Sequence, residues 1–132
     1  MTGPSVKVGI AVVLAIVLAG WIIFRWRSVA CKQRGLALDH RVATLRREAH
    51  DKLKVGTKKS DVVRFFTQNG FSYNDSVVEI DNHNELEGYI FALGCSDVGC
   101  WDAAEIRIEL DVDQLGTVQS APVVKLVYPD CM

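Results

Sequence analysis

The sequence lacks an excess of either charge. Fifteen Lys and Arg face sixteen Asp and Glu, for a formal net charge of -1. A nucleic-acid partner would ask for a dominant basic face, so that class is set aside. No CxxC or HxxxH pair occurs in the 132 residues, which removes the usual zinc and dithiol-redox spacings. No glycine-rich phosphate loop is present, and no serine sits in a nucleophile elbow. Internal repeats and low-complexity segments are missing too. The expectation is a chain that is not an enzyme, with no metal, no cofactor and no small-molecule substrate indicated.

One stretch lacks charge altogether. From Val8 to Phe24 the chain reads VGIAVVLAIVLAGWIIF, and Arg25 and Arg27 then close the run. As a helix those residues span roughly 26 Å, close to the ~30 Å hydrocarbon core of a bilayer. A buried core helix would need apolar neighbours all round, which the remaining hundred or so residues cannot supply. A cleaved signal peptide needs small residues directly after the apolar run, where this chain has RWR. Ser28-Val29-Ala30-Cys31 is faintly like a lipoprotein signal, but it lacks the leucine and two arginines separate it from the run. Trp21 and Trp26 sit where an aromatic belt would. The expectation is an uncleaved single-pass anchor in a lipid bilayer, marked by Val8, Trp21, Phe24, Arg25, Trp26 and Arg27.

Two arguments about orientation oppose each other. Arg25, Arg27, Lys32 and Arg34 follow the run and only Lys7 precedes it, so the positive-inside rule places the remainder in the cytoplasm. Four cysteines in so small a domain suit an oxidising compartment instead. LEGYIFAL before Cys95 is apolar and strand-like. AEIRIELDV after Cys100 alternates, with Ala104, Ile106, Ile108, Leu110 and Val112 on one face. Cysteines flanking the loop of such a hairpin would face each other within disulfide range. Cys95–Cys100 is therefore the expected bridge, with Cys31 and Cys131 the other candidate pair; unpaired thiols, a metal clip and redox chemistry are the rival readings. The expected location is the inner membrane, with the domain on the extracytoplasmic side.

Leu38, Val42, Leu45, Ala49 and Leu53 recur at helical spacing, with charged residues on the other faces. Gly35 either breaks this helix from the anchor or lets the two run together. Val55-Gly56 ends it, Thr57 is placed to cap a second helix with Val62, Phe65 and Phe66 inward, and Asn69-Gly70 stops that one. Strands are expected within 72–80, then over 86–93, 104–112 and 118–128. DNHNE forms a turn, DQLGT forms a hairpin loop, and Pro122 marks an edge or bulge. The fold class is α+β: an N-terminal transmembrane helix followed by a two-layer sandwich of two helices on a four-stranded antiparallel sheet. Residues 1–30 are tail and anchor, 31–37 a juxtamembrane linker, and 38–132 the small α+β domain.

A helix, then Leu53-Lys54-Val55-Gly56-Thr57, then Val62, then a small antiparallel sheet with a hairpin at Asp113–Gly116, resembles the SmpA/OmlA (BamE-like) envelope domain. Related two-helix modules occur in β-lactamase-inhibitor-like proteins. The layout covers residues 38–128, and the motif covers Gly56 to Val62. The chain departs from that pattern in having Thr57 directly after Gly56, no proline closing the second helix and no lipobox cysteine. The resemblance implies a non-catalytic envelope scaffold that binds another envelope protein. The main alternative is an inhibitor or immunity-type binder of an enzyme, and thiol-redox or metal handling is a thinner third.

Individual groups read as structural. His40 and His50 lie ten residues apart on one helix, about 80° out of alignment, and cannot share a ligand. His83 lies in a polar turn with Asp81, Glu85 and Glu87. Asp111, Asp113 and Gly116 echo a calcium loop, but Pro122 stands where its bidentate glutamate belongs. Trp101 and Tyr89 are the candidate interface aromatics.

Overall fold

The computed structural model describes residues 4–78, 83–95 and 103–129. The elements are α1 (Pro4–Lys52), α2 (Lys59–Gln68), β1 (Ser72–Val78), β2 (His83–Leu93), β3 (Ala103–Val112) and β4 (Val123–Val127). The four strands form one antiparallel meander in the order β1-β2-β3-β4. The chain divides into two units, 1–33 and 34–132.

In the first unit the apolar side chains of α1 from Val6 to Phe24 are exposed on every side of the helix. By length and composition this helix is able to cross a membrane. The guanidinium of Arg25 lies 5.2 Å from the ring centre of Trp21, one turn back. The helix does not break at Gly35, so residues 31–37 are helical.

In the second unit the same helix becomes amphipathic. Leu38, Val42, Leu45, Ala49 and Leu53 are all buried, the stripe that the spacing predicts. They join Val62, Phe65 and Phe66 of α2 against the inward side chains of the sheet, among them Leu86, Ile106, Ile108 and Leu110. Gly88 makes this packing possible: a Cβ there would lie 2.6 Å from the ring of the fully buried Phe66.

Lys52 ends α1, and Gly56 turns the chain with a φ of 92°, a conformation that costs glycine little. The residue capping α2 is Lys58, without a side-chain hydrogen bond, rather than Thr57. Thr57 instead accepts from the Val118 amide at 2.9 Å, while the Gly56 amide donates to Val118. Its backbone is thus committed to the end of the sheet. The C-terminus of α2 closes as a Schellman motif: Gly70 has φ 75°, its amide donates to Thr67, and the Phe71 amide donates to Phe66 at 2.8 Å. The rings of Phe66 and Phe71 complete it, 5.9 Å apart.

The sheet differs from expectation at two places. His83, Asn84 and Glu85 belong to β2, paired with Val78, Val77 and Ser76, so the polar run is largely strand, not turn. Only residues 79–82 separate β1 from β2. At the other end β4 starts at Val123 instead of 118. The hairpin loop forms as expected, with Asp113 Oδ1 accepting from the Leu115 and Thr117 amides. Val118 then bridges Val112 and the Gln119 amide donates to Asp111. The next pair is Glu109 with Val123. Two residues on β3 therefore face four on the returning strand, a bulge that ends at Pro122.

Candidate functional site

Cys31 and Cys95 are disulfide-bonded, and to each other. This replaces both expected pairings, Cys95–Cys100 and Cys31–Cys131. The physical reason lies in where the ladder stops. Its last pair is Leu93 with Ala103, so Cys95 is already beyond the strand and cross-strand spacing no longer governs it. Its Cβ instead lies 3.5 Å from the point a Cβ on Gly35 would occupy. Gly35 is one helical turn after Cys31. Cys100, Trp101 and Cys131 fall outside the described residues.

Tyr89 sits on the outward face of the sheet, the side opposite the two helices. Its register partners there are Ser72 on β1 and Arg107 on β3. Period-2 alternation places Phe91 and Leu93 on the same face, and each is 67% exposed. Tyr89 and Phe91 meet edge to face with ring centres 6.2 Å apart. This end of the face is apolar, and among the described residues nothing covers it.

The middle of the face is a charge network. Arg107 donates to Glu105 Oε1 from Nε at 2.9 Å and from its terminal nitrogen at 2.8 Å, and it pairs with Glu87 at 2.7 Å. Glu105 is 8% exposed, which explains why it holds a cation so closely. The hydrogen bond to Glu105 raises the Arg107 pKa above its ordinary value, desolvation opposes this, and Glu87 adds to the rise. A raised pKa means the contribution is present below the ordinary arginine range and is lost only in strong alkali. Lys125 on β4 pairs with Glu109 at 2.5 Å.

The far end is acidic. Glu85 stands opposite Asp111 and Glu87 opposite Glu109, two like-charge cross-strand pairs in succession. Outward of the helices, by contrast, the surface is basic. Residues 34–68 carry nine Lys and Arg against four Asp and Glu, while residues 69–132 carry two against twelve. The net charge of the whole chain hides this polarity, which counting by halves reveals. His40 and His50 are exposed on α1, and His83 lies in β2. Among the described residues, no three of His, Cys, Asp and Glu are grouped to hold a metal ion. A shallow groove between α1 and α2, lined by Lys52, Thr57, Lys58, Arg64 and Phe65, belongs to the basic layer.

Comparison with protein-family models, curated proteins and solved structures finds no match to this chain.

Proposed function

We propose that this chain is a membrane-anchored, non-catalytic module of the bacterial cell envelope that binds an envelope protein through the open face of its sheet. The observation that carries the reading is the one-sided cover of that sheet. Two helices bury its inner face, while its outer face presents Tyr89, Phe91 and Leu93. Exposed aromatic and aliphatic side chains beside charged ones are the composition of a protein contact.

The wholly apolar run from Val8 to Phe24, flanked by Trp21, Trp26 and the arginines, supports the inner membrane as the anchor's site. The Cys31–Cys95 bridge supports the extracytoplasmic side over the positive-inside alternative, since reducing compartments do not sustain structural disulfides. Kinship with the SmpA/OmlA (BamE-like) domain is part of the same proposal, resting on the helix–helix–meander layout and the Gly56 to Val62 stretch.

Two measurements test it. A C-terminal reporter active only outside the cytoplasm should be active, and the chain should stay with membranes through an alkaline carbonate wash; an inactive reporter ends the extracytoplasmic placement, and a soluble product ends the anchored reading. A photocrosslinking residue at position 91 should yield a protein adduct in cells, with none from exposed position 114 in the loop between β3 and β4. No adduct from position 91 ends the binding reading.

A further inference from the structure

We propose that the partner of the open sheet face is the helical layer of a second copy of this chain, stacked in parallel on the first. The inference rests on the reading above that this face binds protein, and it names the occupant.

The two outer surfaces of the domain carry opposite charge. The helical layer, residues 34–68, has a net charge of +5. On the outward sheet face Glu85, Glu87, Glu105, Glu109 and Asp111 outnumber Arg107 and Lys125. Complementary potentials of this kind select partner and register.

Both surfaces are also graded along their length, and in the same direction. Leu36 is 70% exposed on α1, next to Gly35, whose position adjoins Cys95 just past the end of β2. Leu36 is thus level with Leu93 and Phe91. At the other end of α1, Gly56 is hydrogen-bonded to Val118, which bridges Val112 beside Asp111. Lys54 is therefore level with the acidic end of the sheet.

Leu36, His40, Ala43 and Arg47 follow one row on the exposed side of α1, spaced three or four residues apart. That row lies opposite the buried stripe. The lengths agree as well. Residues 36 to 52 rise about 24 Å as a helix, and residues 85 to 93 rise about 27 Å as a strand.

A plain translation of one copy across its own sheet then sets Leu36 against Phe91 and Leu93. The same shift sets Arg47 and Lys54 against the carboxylates of Glu87 and Glu109. No rotation is needed. Such a contact joins unlike surfaces and so leaves one of each kind free at the two ends of a stack.

The test uses full-length chain in neutral detergent micelles, with sedimentation as the readout. Wild type should form dimers and higher species at low salt, and these should dissociate at least tenfold more readily when ionic strength is raised well above physiological. Glu87→Lys with Glu109→Lys reverses the sheet face. Arg47→Glu with Lys54→Glu reverses the helical layer. Each variant alone should sediment as a monomer, and an equimolar mixture should associate again, because only unlike variants then match.

Monomeric wild type overturns the proposal. So does association that survives both reversals, which would place the contact in the apolar helix, or a mixture that stays monomeric. Leu36→Ser and Phe91→Ser, both at exposed positions, should each weaken association without changing the melting curve; unchanged association in both also overturns it. A foreign protein crosslinked at position 91, with no self-adduct, would refute the second copy while leaving the binding reading intact.

Discussion

Residues 8–24 and residues 38–52 lie on one uninterrupted helix, yet their side chains answer to different surroundings. In the first stretch every face is apolar and every face is exposed. In the second, one stripe is apolar and buried while Arg41, Arg47 and Asp51 stand outside. The backbone hydrogen bonding is the same in both. What changes is the period of the apolar residues, none in one stretch and 3.6 in the other, and that alone separates a helix apolar enough to cross a bilayer from a domain helix.

The contrast is sharpest if the two stretches fail independently. Leu53→Ala, at a fully buried position, should cost the domain about 2–5 kcal/mol in chemical denaturation while leaving carbonate-resistant membrane attachment unchanged. Cys31→Ser should lower domain stability by up to about 4 kcal/mol, since the bridge closes a long loop; non-reducing peptide mapping should recover Cys31 joined to Cys95, and a Cys95–Cys100 peptide would refute the pairing.

Leu14→Arg acts on the other stretch. It should disfavour insertion by about 3 kcal/mol and release part of the chain to the soluble fraction, with the domain's melting temperature unmoved. Gly88→Ala should destabilise the domain by about 1–3 kcal/mol, because the new Cβ would force the fully buried Phe66 ring to shift. Leu36→Ser, exposed on the amphipathic stretch, should shift stability by no more than about 0.5 kcal/mol.

The sequence made the strongly periodic parts legible. The 38–53 stripe, the alternation of Ala104 to Val112 and the glycines at 56, 70 and 116 each follow from local rules, and the α+β class follows from their order. What escaped depended on residues distant in the chain. Thr57 has the side chain of a cap, but Val118 claims its backbone. Val118 has the residue type of a strand, but the offset before Pro122 delays β4 by five residues. Cys95 sits near Cys100 in sequence and near Gly35 in space. Tyr89 is legible as an aromatic in a strand, whereas the register alone brings Arg107 beside it and Phe91 onto the same face. The opposite charge of the two layers was present in the residue counts and was lost by averaging over the whole chain.

The offset at residues 120–122 also protects the molecule. A strand arriving from a neighbour would meet only the five residues of β4, because Pro122 has no amide hydrogen to offer and the surplus residues spoil the spacing. On the opposite border Asp75 turns its carboxylate toward Lys59 of α2, a charge that an incoming ribbon would have to accommodate. The sheet is thereby spared the runaway cross-β polymerisation that bare strand borders invite.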